Sequence, residues 1–244
     1  MELRFIGCGD AFASGGRFNT CFLVSGAAHR FLIDCGASSL VALRQAGIDL
    51  AGIDAVIVSH LHGDHFGGLP FLLLDAAKMS RRTRPLVLYG PAGLQPRLEA
   101  LQEALYPGLS TAELGFALSY RVLEAGDRCT GDGLAVTPYL AEHAAGAPCF
   151  SLRVECEGKV IAYSGDTGWT EELLKAARDA DLFVCECSSF DRPLKGHLDY
   201  LSLAPQLERV GAKRVILTHL GPDMIERRSV LAHETASDGM IVVL

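Results

Sequence analysis

Residues 55–68 read Ala55-Val56-Ile57-Val58-Ser59-His60-Leu61-His62-Gly63-Asp64-His65-Phe66-Gly67-Gly68. The opening apolar run, rich in β-branched residues, predicts a buried strand over Ala55 to Val58. Side chains of metal-binding type follow it at once: His60, His62, Asp64 and His65. In an extended segment His60 and His62 project to the same side, so both imidazoles can reach one ion. A turn at Gly63 then lets Asp64 and His65 face a neighbouring position. A single histidine at a strand end is ordinary, but this cluster directly after a buried strand is a specific signal.

The same arrangement recurs outward from this stretch. The strand predicted at Leu134 to Leu140 runs into Ala141-Glu142-His143, and that at Val160 to Tyr163 into Ser164-Gly165-Asp166-Thr167-Gly168. Leu182-Phe183-Val184-Cys185 delivers Glu186, and Val215-Ile216-Leu217 delivers Thr218-His219. Open α/β sheets place their sites at the C-terminal ends of strands, where the backbone leaves the core. His143 can join His60 and His62 around one ion, and His219 can join Asp64 and His65 around another. Asp166 suits a bridging position because a carboxylate offers two oxygens. Two ions about 3.5–4 Å apart form the usual hydrolytic pair. Mixed histidine and carboxylate donors suit zinc best, with manganese or iron as alternatives. His29 and His233 adjoin no such pattern and read as structural or surface residues.

The remaining elements alternate. Strands are expected at Leu3 to Gly7, Cys21 to Ser25, Arg30 to Ile33, Leu86 to Tyr89 and Cys149 to Cys156. Helices are expected at Ser38 to Gln45, Leu69 to Lys78, Leu94 to Leu105, Thr170 to Ala180 and Ser202 to Val210. Interleaved strands and helices define an α/β layered architecture. With 244 residues and no low-complexity linker or repeat, the expectation is a single domain, 1–244. A hydrophobic fraction of 49% excludes intrinsic disorder. The 22 Lys+Arg against 29 Asp+Glu give a net charge of −7, which argues against non-specific binding to nucleic acid or anionic membrane. The longest apolar runs, such as Phe71 to Leu74, fall far short of a membrane span. Met1-Glu2-Leu3-Arg4-Phe5 carries no basic n-region, so a cytoplasmic location is expected. The eight cysteines lack a CxxC pair and read as reduced, mostly buried thiols, with Cys185 and Cys187 on one face of a strand. Lys78, Arg81, Arg82 and Arg84 form a basic cluster that reads as a solvated face or a phosphate-contacting rim. Arg17 is a second candidate for phosphate contact, and Tyr106 to Tyr120 a candidate pocket wall or lid.

Ser59 to Gly68 resembles the HxHxDH signature of the metallo-β-lactamase superfamily, and His143, Asp166 and His219 match its other ligand positions in order. The resemblance implies an αββα four-layer sandwich with a binuclear site along one edge. It assigns His60, His62, His143 and Asp166 to the first metal, and Asp64, His65, Asp166 and His219 to the second. Gly196-His197-Leu198 resembles the additional histidine of the ribonuclease Z-like branch, which faces the scissile phosphate and protonates the leaving oxygen. Glu186 resembles the acidic residue that orients it. Gly7-Cys8-Gly9-Asp10-Ala11-Phe12, followed by Arg17-Phe18-Asn19-Thr20, resembles the branch's Gly-rich opening loop. The chain also departs from the branch. A hairpin turning at Glu157-Gly158-Lys159 fills the interval from His143 to Asp166, leaving no room for the arm that grips tRNA. Cys8 and Cys21 do not reproduce the zinc-binding cysteine cluster of the phosphonate-pathway phosphodiesterase.

The expected function is a binuclear metal-dependent hydrolase, a phosphodiesterase of ribonuclease Z-like type acting on a small phosphodiester, nucleotide or RNA end. Two divalent ions outweigh Asp64 and Asp166, so the site favours an anionic substrate. Asp64 can take a proton from the attacking water, and His197, held by Glu186, can supply one to the departing alkoxide. The competing reading is hydrolysis of a thioester, lactone or other acyl substrate on the same metals, since one fold hosts many reactions. The expected partners are a small anionic phosphodiester or short RNA, with no membrane and no stable nucleic-acid complex. A homodimer is permitted, relatives in this branch being often dimeric.

Overall fold

The computed structural model describes residues 1–244. In chain order the elements are β1 (Glu2–Gly7), β2 (Cys21–Ser25), β3 (Arg30–Ile33), α1 (Ser39–Gln45), β4 (Ala55–Ile57), α2 (Gly63–Phe66), α3 (Leu69–Lys78), β5 (Leu86–Pro91), α4 (Leu94–Leu105), β6 (Leu118–Leu123), β7 (Cys129–Gly131), β8 (Leu134–Leu140), β9 (Phe150–Cys156), β10 (Lys159–Tyr163), α5 (Glu172–Ala177), β11 (Leu182–Glu186), α6 (Tyr200–Leu207), β12 (Val215–Thr218), α7 (Pro222–Arg227), β13 (Glu234–Thr235) and β14 (Ile241–Val243). They form two seven-stranded mixed sheets, ordered β14-β1-β2-β3-β4-β5-β6 and β13-β12-β11-β10-β9-β8-β7.

Side-chain alternation builds the layers. Along β2, Phe22 and Val24 enter the core between the sheets, while Cys21 and Leu23 face the helices outside. Along β11, Leu182 and Val184 enter the same central core, and Phe183 and Cys185 pack under the helices on the other side. Both sheets are therefore buried on two faces, which explains why their strands read as continuous apolar runs. Phe5, Phe22 and Tyr163 meet edge to face in the centre, with ring centroids 5.1 Å apart in both pairs. Helices α1, α3 and α4 cover the first sheet, and α5, α6 and α7 the second. The result is the expected αββα sandwich. Cys185 and Cys187 do share one apolar layer, and all eight cysteines are free thiols.

The differences from expectation are local. The helix expected over Thr170 to Ala180 narrows to α5 because Arg178 is extended and Asp179 is left-handed, at φ 56°. The helix expected from Ser202 begins earlier, at Tyr200, because the Asp199 carboxylate caps it by accepting from the Ser202 amide at 3.0 Å. Strands β7, β13 and β14 span only two or three residues, too few for a period-two signal. The segment Tyr106 to Tyr120 is no lid over the strand-end cluster: Tyr106 packs on Phe71, while Phe116 and Tyr120 pack against the core under the first sheet. No helix is long and apolar enough to cross a membrane.

Candidate active site

Strands β3 to β6 run parallel in the first sheet, as do β10 to β13 in the second. Loops leaving the ends of these parallel strands meet along one edge. The Phe150 amide donates to the Ser59 carbonyl at 3.1 Å, and the His219 amide to the Cys8 carbonyl at 3.1 Å, so the two sheets are tied together beside the cluster. After β4 the chain bends at Ser59 and is extended at His62, then makes one helical turn, α2, that carries Asp64 and His65. Gly68 is required behind that turn, because a Cβ there would lie 2.2 Å from the Gly36 carbonyl oxygen.

Two groups of four donors result: His60, His62, His143 and Asp166, and Asp64, His65, Asp166 and His219. Within each group the donor atoms lie within 4.8 Å of one another. Asp166 belongs to both. Its carboxylate stands 3.8 Å from His60 Nε2 and 3.9 Å from His143 Nε2 on one side, and 3.3 Å from His65 Nε2 and 3.5 Å from His219 Nε2 on the other. All seven residues singled out in the sequence thus come together.

The donor chemistry fits divalent cations. His60 Nε2, His65 Nε2 and Asp166 Oδ1 are buried and have no hydrogen-bond partner, a costly arrangement unless a cation takes the place between them. Burial holds the His60 and His143 imidazoles below their ordinary pKa, in the neutral form that metals require. Burial opposes protonation of His65 as well, yet Asp166, Asp34 and Asp64 keep it well above the ordinary value. His219 is likewise pushed up to about 9, against burial, by Asp166 and Asp64. In both cases the carboxylates call for positive charge.

A further layer of residues aims these donors. Asp34, wholly buried at φ 56°, accepts from the Ser59 amide at 2.7 Å, the Ser59 hydroxyl at 2.8 Å and His65 Nδ1 at 2.7 Å. Ser59 Oγ in turn lies 3.1 Å from His60 Nδ1. One carboxylate therefore steadies an imidazole in each group. Sequence reading missed Asp34, although it follows the strand Arg30 to Ile33 as the other candidates follow theirs. His143 Nδ1 donates to the Gly196 carbonyl at 2.8 Å. Gly196 is left-handed, at φ 76°, and an added Cβ would stand 2.8 Å from that same Nδ1. Gly196→Ala is accordingly expected to tilt the His143 ring, lower metal affinity about 10–100-fold, and cost about 1–2 kcal/mol of stability from the backbone alone. Metal titration and thermal denaturation check this, and an unchanged metal affinity would refute it.

His197 stands next to the cluster, stacked with His219 at 5.8 Å between ring centroids. Its Nδ1 lies 3.1 Å from Glu186 Oε1, and Glu186 is wholly buried at the end of β11. Burial holds the Glu186 carboxyl above its ordinary value, only partly offset by the hydrogen bond with His197, and the Thr167 amide donates to it at 2.8 Å. Burial lowers His197 in turn, and the hydrogen bond that its Nδ1 donates to Glu186, with the charge of that carboxylate, outweighs it, so the imidazole is raised above its ordinary value. The residues His62, Asp64, His143, Asp166, His197 and His219 open on one cavity of about 260 Å³.

The other basic candidates lie elsewhere. Arg82 is buried and donates to the carbonyls of Leu50, Ala51, Arg84 and Pro85, and Arg84 pairs with Asp54, so these two tie loops together, while Lys78 and Arg81 are exposed and none of the four lines the cavity. Arg17 is buried against the Cys8 thiol, 3.7 Å away, outside the cavity lining. The cation at the cavity is Arg192, and the aromatic ring there is Phe12.

Two facing mixed sheets between helices, with a double histidine–aspartate cluster at the strand ends, define a metal-dependent hydrolase of the metallo-β-lactamase fold and ribonuclease Z-like kind. Within that class the chain belongs to the anti-Pycsar protein Apyc1 family, whose model matches residues 1–238. It is 34% identical over 178 positions to the anti-Pycsar protein Apyc1 of Saccharibacillus brassicae, covering 71% of this chain and 70% of that protein. It is 26% identical over 272 aligned positions to a ribonuclease Z of Methanosarcina acetivorans, covering 90% of this chain and 87% of the relative. Among solved structures, the short form of human tRNase Z superposes over 100% of this chain and 99% of its own, at 26% identity and a TM-score of 0.79.

Proposed function

We propose that residues 1–244 act as one catalytic unit, a binuclear phosphodiesterase for a small, nucleotide-sized phosphodiester. The observation that carries this reading is the His197–Glu186 pair, which opens on the same cavity as the two donor groups. A thioester or lactone has less use for an acid at that place, whereas an alkoxide leaving a phosphodiester needs a proton. His60, His62, His143 and Asp166 would hold one divalent ion, and Asp64, His65, Asp166 and His219 the other, zinc being favoured by the donor set. Such ions supply positive charge for the phosphoryl oxygens and acidify the attacking water.

The chain's own residues do the rest. Asp64 takes the proton of the attacking water and is ionised to receive it: burial opposes the charge, but His65 and His219 hold the carboxyl below the usual range. His197 keeps Nδ1 on Glu186 and presents its other ring nitrogen to the leaving oxygen. Asp34 and Gly196 fix the imidazoles around them. The cavity, about 260 Å³, lies just below the ~300–1,000 Å³ usual for ligand sites and suits a single nucleotide. Membership in an anti-Pycsar family supports a cyclic nucleotide as the diester.

The test is hydrolysis of bis(p-nitrophenyl) phosphate and a nucleoside 3′,5′-cyclic phosphate by metal-analysed protein, with a thioester alongside. Two metals per chain with diester cleavage is the expected result, and acyl cleavage alone would overturn it. The length of the likeness to ribonuclease Z favours a second reading, an RNA 3′ end as substrate. Accurate cleavage of a tRNA precursor would establish that one instead.

A further inference from the structure

The loop from Cys8 to Phe18 is fastened at its base and along its length by side-chain and backbone hydrogen bonds. Asp238, from the far end of the chain, accepts from the Cys8 amide at 3.0 Å and the Phe18 amide at 2.9 Å. The Gly9 amide donates to the Phe18 carbonyl at 2.7 Å, closing the base of the loop. Asp10, itself buried, accepts from the Phe12 amide at 3.2 Å, the Ser14 amide at 2.9 Å and the Ser14 hydroxyl at 2.6 Å. Asn19 Nδ2 donates to the Asp10 carbonyl at 3.0 Å. A loop so tied holds its tip in one place. At that tip stands the phenyl ring of Phe12, 87% exposed and lining the cavity with His197 and His219. No packing requirement of this chain accounts for an aromatic ring carried on a tied backbone into solvent at the mouth of a polar site.

Arg192 lines the same cavity. It lies four residues past Ser188 in the segment that ends in His197, and the Ser189 hydroxyl holds its backbone carbonyl at 2.5 Å. Its side chain is exposed and pairs with no carboxylate, unlike Arg84, Arg128, Arg209 and Arg214. A free guanidinium and an aromatic face are the two groups on which nucleic-acid bases stack.

We infer that Phe12 and Arg192 form a base-binding subsite, which takes the nucleobase of a substrate whose phosphate lies on the histidine–aspartate cluster. The inference rests on the phosphodiesterase reading and adds the part of the substrate outside the reacting phosphate. The subsite selects diesters that carry a planar heterocycle, and the stacking contact tolerates purine and pyrimidine alike because each has a π-face. Neither side chain touches the bonds that change, so binding and not turnover should depend on them.

The experiment compares a nucleoside 3′,5′-cyclic phosphate with methyl riboside 3′,5′-cyclic phosphate, which has the same reacting ring and no base. Phe12→Ala is expected to raise KM for the first about 10–100-fold, leaving kcat within a few-fold and the base-free substrate unaffected. Phe12→Trp should restore the wild-type KM, and Arg192→Ala should repeat the alanine effect in weaker form. Calorimetric binding of adenosine 5′-monophosphate gives a second readout independent of turnover, and it should weaken in step. If the ratio of kcat/KM for the two substrates and the nucleotide affinity both stay at wild-type values in Phe12→Ala, the subsite is refuted. A change in oligomeric state with both values unaltered would refute it too, and assign Phe12 to a contact between copies. Wild-type protein that is fully metal-loaded and cleaves neither cyclic phosphate nor bis(p-nitrophenyl) phosphate overturns the phosphodiesterase reading itself, and the inference with it.

Discussion

Replacing His197 by alanine is expected to slow cleavage of a diester with an alkoxide leaving group by about 10²–10⁴-fold, with metal content unchanged. His197 lies outside both four-donor groups, so its loss leaves every proposed ligand in place. What the variant lacks is a proton donor poised by Glu186, 3.1 Å away. A leaving group such as p-nitrophenolate departs without protonation, so the defect should shrink sharply with it. The measurement is kcat for His197→Ala on a p-nitrophenyl diester and on an alkyl diester. Glu186→Gln should show the same selectivity with a smaller loss, since glutamine still accepts a hydrogen bond but carries no charge to hold the imidazolium. Equal losses on the two substrates would remove the acid role from His197. A loss of metal would make it a structural neighbour of the cluster.

The cluster was legible in the sequence for a specific physical reason. Apolar strands buried on both faces read as uninterrupted runs, so polar residues that follow them stand out, as His60, His143, Asp166, Glu186 and His219 do. The layers were legible for the same cause. What stayed hidden has equally definite causes. Asp34 follows its strand as the others do, but a single aspartate before Cys35-Gly36 is indistinguishable from a turn residue until His65 and Ser59 are brought against it. Arg17 reads as a phosphate contact, and the cluster around Arg82 as a solvated face or a phosphate rim, because charge alone carries no direction; the fold buries Arg17 and turns Arg82 toward loop carbonyls. Phe12 and Arg192 stand in loops with no period, 180 positions apart, and only the meeting of the two sheets brings them to one cavity. Short pairings such as β13 with β12 involve two residues and depend on the neighbouring strand for their existence.

Asp34→Asn should lower metal affinity by about 10–100-fold, although Asp34 is in neither donor group. Its carboxylate accepts from His65 Nδ1 at 2.7 Å, which fixes the proton on that nitrogen and leaves the lone pair on Nε2. That Nε2 is the atom buried toward Asp64 and Asp166, 3.2 and 3.3 Å away, without a hydrogen-bond partner. An asparagine amide must either turn its NH₂ toward His65 and the Ser59 hydroxyl, forcing the proton to Nε2, or turn it toward the Ser59 amide, where donor would face donor. Either choice breaks the support behind the cluster, and the first also loosens the Ser59 hydroxyl against His60 Nδ1. Asp34→Ala should go further, leaving the Ser59 amide and His65 Nδ1 buried without an acceptor and costing about 3–5 kcal/mol of stability. Zinc affinity measured by competition with a chromophoric chelator, together with metal content after gel filtration, tests the first variant, and thermal denaturation the second. Wild-type zinc affinity in Asp34→Asn would mean that packing alone aims His65, and the carboxylate would then be no part of how this fold holds its metals.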